Sequence, residues 1–127
     1  MTGERMTAIR VLLVDDVEQV RRDLRTVLTL SSEIEIIGEA ADGLEATSLA
    51  ESLNPDVVLM DLEMPVLDGY EATRQIKTRF PSCRVITLTV HDYESARLKA
   101  KQSGVDAFLV KGAPVETIVQ TITKQKE

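Results

Sequence analysis

Apolar positions along the chain fall into two alternating textures. Short runs rich in Val, Ile and Leu are separated by longer stretches in which apolar residues recur every three or four positions. The runs are Ile9 to Val14, the weaker Ile34 to Gly38, Val57 to Met60, Val85 to Thr89 and Val105 to Val110. The first, third and fifth are nearly continuous in apolar character, as expected of strands covered by helices on both faces of a parallel sheet. The intervening stretches predict helices. Val17, Val20, Leu24, Val27 and Leu28 line the first. Ala46, Leu49, Ala50 and Leu53 line the second, which opens at an Asp42–Glu45 capping pair and stops at Asn54-Pro55. Ala72, Ile76 and Phe80 mark the third, bounded by Gly69 and Pro81. The fourth, Tyr93 to Ser103, is weakly amphipathic and ends at Gly104. The fifth opens at Pro114 and continues through Val115, Ile118, Val119 and Ile122.

Five strand–helix units in a row predict an α/β fold with a parallel sheet and right-handed crossovers. No internal repeat or domain boundary interrupts them. The expectation is one domain over residues 8–127, preceded by a disordered extension over residues 1–7. The charged end, Lys124 to Glu127, equally suits the start of a linker.

Composition narrows the class. A chain of 127 residues that is 43% hydrophobic has enough apolar surface to build its own core and too much to stay disordered. Every apolar run is too short for a membrane-spanning helix or the core of a signal peptide, so no membrane association is expected. The single cysteine, Cys83, excludes an intramolecular disulfide and suits a reducing, cytoplasmic compartment. It is most simply structural. A net charge of −6 without a basic run argues against nucleic-acid binding by this domain itself.

In open α/β sheets, ligands bind beyond the carboxyl ends of the strands. Run one ends in Asp15-Asp16, run three in Asp61, run four in Thr89 and run five in Lys111, whereas run two ends in an unremarkable Gly38-Glu39. If runs one and three are neighbours, Asp15, Asp16 and Asp61 repel one another, and raised pKa values or a bound cation would relieve them. An all-oxygen ligand set with room for water and phosphate suits Mg²⁺, with Mn²⁺ as a substitute. A carboxylate beside Mg²⁺ can act as a nucleophile toward phosphorus, forming an aspartyl phosphate. Lys111, the Thr89 hydroxyl and backbone N–H groups after Asp61 would neutralise the charge spread over the transferred group.

Together these residues resemble a known family. Val11-Leu-Leu-Val-Asp-Asp16, Val57-Val-Leu-Met-Asp-Leu-Glu-Met-Pro65 followed by Asp68-Gly69, Thr89, and Phe108-Leu-Val-Lys111 look like a response-regulator receiver domain. Each motif alone is common, but all four in this order and spacing are specific. The resemblance runs from about Ile9 to Ile122 and implies a CheY-like fold with strand order 2-1-3-4-5. It implies a sensor histidine kinase or phosphotransfer protein as partner, with Asp61 as phosphoacceptor. Mg²⁺ would be held by Asp15, Asp16, Asp61 and the backbone carbonyl of Glu63. Thr89 and Phe108 match the family's switch pair, and Lys111 its phosphate-binding lysine. The Glu63 side chain and His91 fall where the family tunes phosphate lifetime. The resemblance also implies a phosphorylation-dependent surface formed by helix 4, strand 5 and helix 5, homodimerisation, and an output such as transcription. It implies no turnover of an external substrate.

Two positions depart from the pattern. Val90 follows the switch Thr where the family usually has Ala or Gly, which narrows access to the site. Lys111 is followed by Gly112-Ala113-Pro114 rather than directly by proline, a loop more like the branch that precedes LuxR-type DNA-binding output domains.

Plainer readings stand beside these. Asp15-Asp16 can serve as a helix cap, Lys111 as a solvated strand-end lysine and Phe108 as core. Thr87 competes with Thr89, but its position inside the strand points its hydroxyl into packing or toward a helix. At the level of the whole chain, a haloacid-dehalogenase-type phosphohydrolase also forms an aspartyl phosphate on Mg²⁺. However, Asp61-Leu62-Glu63 only loosely mimics its paired aspartates, and no cap domain fits. A flavodoxin-like binding module lacks its Gly-rich loop after run one. A receiver used only for docking would not need the intact acid cluster.

Overall fold

The computed structural model describes residues 7–124. Five strands, β1 (Ile9–Val14), β2 (Ile34–Ala40), β3 (Val57–Met60), β4 (Arg84–Thr89) and β5 (Ala107–Val110), alternate with five helices. The helices are α1 (Glu18–Leu28), α2 (Gly43–Leu53), α3 (Gly69–Arg79), α4 (Glu94–Ser103) and α5 (Val115–Thr123). All strand pairs are parallel and the order is β2-β1-β3-β4-β5, as the family resemblance implies. The disordered extension expected over residues 1–7 and the charged end lie outside the described residues, apart from Thr7 and Lys124.

Alternation along the strands divides the core between two faces. Val11, Leu13, Leu59, Ile86 and Leu88 pack with Leu28 of α1 and with Ile118 and Ile122 of α5. Leu12, Val14, Val58, Met60 and Val85 pack with Ala46 and Ala50 of α2 and with Ala72 and Ile76 of α3. A smaller cluster of Leu62, Tyr70 and Ala100, joined by Val105 and Phe108, seats α4.

Local chemistry sets the helix ends. Asp42 and Asp68 cap α2 and α3 by accepting from the N–H groups of Glu45 and Glu71. Glu45 answers by accepting from Ala41 N, one residue short of a regular capping box. The α2 C-terminus turns through Asn54 at φ 52° and that of α4 through Gly104 at φ 100°. Arg10 donates to the carbonyls of Leu53 and Asn54, and Arg84 to those of Thr121 and Ile122, so strand-borne guanidiniums satisfy the last turns of α2 and α5.

Three expectations are corrected. Run two extends to Ala40, because a bulge between the Val11–Ile36 and Leu12–Gly38 pairs lets the strand continue alongside β1. Run five begins at Ala107 rather than Val105: Asp106 N donates to Val85 O at 2.8 Å, but the Asp106 carboxylate, also held by Lys77 Nζ, takes the Val85 N–H, so regular pairing starts at Ile86–Ala107. β5 is also only half-buried throughout, because it is the last strand in the sheet order and lacks a neighbour on one side. Continuous apolar character does not distinguish an edge strand from a central one.

Candidate functional site

The site lies where β1, β3, β4 and β5 end. Val14 pairs with Met60, so the next residues, Asp15 and Asp61, leave the sheet side by side. Their backbones stay tied to it: Asp15 N donates to Ala40 O at 3.1 Å and Asp61 N to Val14 O at 2.9 Å. Gly69 is required just beyond. Its N–H bonds Leu62 O at 2.8 Å, and a Cβ there would stand 2.1 Å from Asp61 O. The loop between Asp61 and Gly69 is therefore folded tightly over the end of β3.

Asp15 and Asp61 are buried and Asp16 is exposed, and each offers a carboxylate oxygen within 4.8 Å of the others. Opposite oxygens around octahedral Mg²⁺ stand about 4 Å apart. The donors are all hard oxygens converging on one spot, so by their chemistry the residues fit the ion. Lys111 Nζ lies 2.7 Å from Asp15 Oδ2 and 3.9 Å from Asp61 Oδ1. The ammonium therefore leans on Asp15 rather than on the central carboxylate. Burial pushes the Asp61 carboxyl up to about 6. The charge of Asp15 adds to the rise, Lys111 opposes it, Asp16 adds, and a hydrogen bond from Glu63 N–H opposes it.

The cap reading of Asp15-Asp16 is not realised. The N-cap of α1 is Val17, with no side-chain bond, and Asp15 Oδ1 instead accepts from Val17 N at 2.9 Å. Thr89 is fully buried at the end of β4, and its Oγ accepts from His91 N at 3.1 Å. Thr87 has its hydroxyl turned to Ala107 O at 3.4 Å, inside packing as expected. The register Thr87–Phe108 and Thr89–Val110 sets Phe108 on the same sheet face as Thr89. The Phe108 ring is half-buried beside Ala100 and Tyr70, and the Arg97 guanidinium lies 4.6 Å from its centroid.

At the rim, His91 Nε2 lies 2.9 Å from Glu63 Oε1 and its Nδ1 2.7 Å from the Tyr93 hydroxyl. The two expected tuning residues thus touch each other, joining the β3–α3 and β4–α4 loops. Val90 is 63% exposed. Gly112, at φ 99°, turns the chain after Lys111, whose N–H bonds Thr89 O at 2.7 Å.

Sequence reasoning missed three contributors. Tyr93 carried no signal as a partner of His91. Glu39, dismissed with the end of run two, accepts from Arg21 and Arg25 of α1. Arg21 in turn donates to Asp15 O at 2.7 Å. A charged residue at a strand end facing arginines four apart on the preceding helix was the available clue.

Comparisons with known proteins give the family. A family described as response regulator receiver domain matches residues 11–123. The response regulator protein VraR of Staphylococcus aureus is 40% identical over 116 residues, covering 91% of this chain and 56% of the relative. The chain thus spans about half the length of that curated relative. A two-component response regulator of the LuxR family from Aurantimonas superposes with a TM-score of 0.86 at 34% identity, covering 91% of this chain and 83% of that one. A LuxR-family DNA-binding response regulator from Staphylococcus aureus gives 0.85 at 30% identity, covering 90% and 95%. The matched family is one of signalling proteins.

Proposed function

The chain belongs to the response regulator receiver family, with LuxR-family regulators among its relatives, and on that premise we propose that Asp61 accepts a phosphoryl group from a histidine kinase or phosphotransfer protein. The observation that carries this reading is the convergence of Asp15, Asp16 and Asp61 beside Lys111 at the sheet edge. One carboxylate oxygen of Asp61 attacks phosphorus. The bond from phosphorus to the donor's imidazole nitrogen breaks, and its electron pair leaves with the imidazole. Mg²⁺ held by Asp15, Asp16, Asp61 and the Glu63 carbonyl would screen the carboxylates and neutralise the transferred oxygens, and Mn²⁺ would serve in its place. Lys111 then exchanges Asp15 for a phosphoryl oxygen.

The Thr89 hydroxyl bonds the phosphoryl group, and Phe108 moves into the space that Thr89 leaves on the same sheet face. The result is a changed α4–β5–α5 surface, which passes the signal to an output, transcription in the LuxR branch, and to pairing of two copies. Glu63 and His91 set how readily water reaches the phosphoryl group, with Val90 narrowing the approach. The domain acts by its own phosphorylation and dephosphorylation in the cytoplasm, without turning over an external substrate. Among the described residues no helix is long and apolar enough to cross a membrane.

Incubation with Mg²⁺ and acetyl phosphate, followed by intact mass, tests the assignment. One added phosphoryl group, removed by hydroxylamine and absent from Asp61→Asn, is expected. Normal labelling of that variant would refute Asp61 as the acceptor.

A further inference from the structure

The carbonyl of Asp15 belongs to the peptide that joins Asp15 to Asp16, two of the three clustered carboxylates. Its orientation decides the direction in which Asp16 leaves the sheet relative to its neighbour. The preceding peptide is tied to the sheet by the bond from Asp15 N to Ala40 O, which leaves the Asp15 carbonyl to be fixed from elsewhere. That carbonyl is held by a side chain: Arg21 Nη1 donates to Asp15 O at 2.7 Å. Arg21 is half-buried, and its Nε is held at 3.0 Å by Glu39 Oε1. The second oxygen of Glu39 meets Arg25 Nε at 2.8 Å. Arg25, then Arg21, hold the Glu39 carboxyl below its ordinary range against the opposing effect of burial. Glu39 therefore stays ionised while it orients the guanidinium. The chain of contacts runs from β2 through α1 to the backbone between two clustered acids.

We infer that Arg21, oriented by Glu39, is a positioning residue that holds the Asp15–Asp16 peptide so that both carboxylates face Asp61 and a divalent cation. This rests on the cation reading of the acid cluster given above. Arg21 touches no carboxylate of the cluster and acts through the backbone, in the manner of outer-shell groups that orient metal ligands. Arg25 provides an internal control. It shares Glu39 and the same helix but makes no bond to Asp15, so its loss removes the ion pair without freeing the peptide.

The test is calorimetric titration of Mg²⁺ into the receiver without a phosphodonor, with thermal unfolding in chelator measured in parallel. Arg21→Gln is expected to weaken Mg²⁺ binding about tenfold. Arg25→Gln is expected to lower the midpoint of unfolding to a similar degree while binding Mg²⁺ within about twofold of wild type, and Arg21→Lys, which can still donate to the carbonyl, to recover part of the affinity. Wild-type affinity in Arg21→Gln despite a lowered midpoint would reduce Arg21 to a structural residue and overturn this inference alone. Equal loss of affinity in both variants would also overturn it, by tracing the effect to general loosening of α1. Absence of Mg²⁺ binding by the wild-type protein at millimolar concentrations would overturn the cation reading and this inference together.

Discussion

The flank formed by α1 and α5 and the corner formed by α4 and the site loops are built on opposite principles. On the flank, Leu28, Ile118 and Ile122 are buried against Val11, Leu13, Leu59, Ile86 and Leu88. Each such aliphatic contributes about 1.5–3 kcal/mol through burial alone. At the corner, α4 offers Ala96, Ala100 and Ser103 to the interior. It supplements them with Arg97 over Phe108 and with Lys99 Nζ 4.4 Å from the Tyr70 ring centroid. Such exposed cation–π contacts contribute about 0.5–1 kcal/mol each. The adjoining loops hold a buried, protonation-prone Asp61 and a β-branched residue, Val66, at φ 71°. The flank is a scaffold on which any cut is costly, whereas the corner is held by small residues and weaker contacts around its acid groups.

The sharpest test of this contrast is truncation on the flank. Ile122→Ala, at a fully buried position, should cost about 2–5 kcal/mol in urea unfolding. A loss below 1 kcal/mol would break the comparison, because the flank would then be as tolerant as the corner.

Next in size is the effect of pH at the acid cluster in chelator-treated protein. The folded Asp61 carboxyl titrates near 6, above its ordinary 3.8, so it binds its proton more tightly folded than unfolded. Its contribution is full below the unfolded value and is lost as pH rises through 6. Asp61→Asn should therefore raise stability by about 1–3 kcal/mol at pH 8 and change it little at pH 4. Glu39 behaves oppositely: its lowered carboxyl stabilises above the ordinary range, and that contribution is lost as pH falls. A pH-independent difference between Asp61→Asn and wild type would contradict the burial argument.

A smaller gain is expected at Val66. It is 76% exposed, so little packing is lost on truncation, and its left-handed backbone closes a tight turn in which Leu67 N donates to Pro65 O at 2.8 Å. Val66→Gly should stabilise by about 1 kcal/mol in urea unfolding. Destabilisation would mean that the side chain supports the loop. Smallest is Arg97→Ala, expected to cost about 0.5–1 kcal/mol and to appear as faster amide exchange within α4, with the flank unchanged.

Much of this layout is legible in the chain. The apolar runs place the strands because alternation and length are local properties, and Asp15, Asp16, Asp61, Thr89 and Lys111 stand out because strand ends share one edge. The contacts that cross the sheet are not legible in that way. Arg21 meets Asp15 and Glu39 only because β2 lies beside β1, and that order came from resemblance rather than periodicity. Lys111 prefers Asp15 to Asp61 by little more than an ångström, which no spacing rule encodes. The half-burial of β5 and its late start at Ala107 follow from the edge position and from the Asp106 side-chain bond to Val85, both tertiary facts.

The central claim is that phosphorylation of Asp61 is read out at the α4–β5–α5 surface while α1 stays as it is. Hydrogen exchange of the receiver before and after acetyl phosphate treatment, with the added mass confirmed on the same sample, tests it most directly. The account predicts changed protection in residues 90–108, spanning the β4–α4 loop, α4 and the start of β5, with α1 unaltered. Full phosphorylation with no change in those residues, or with an equal change across α1, would contradict it.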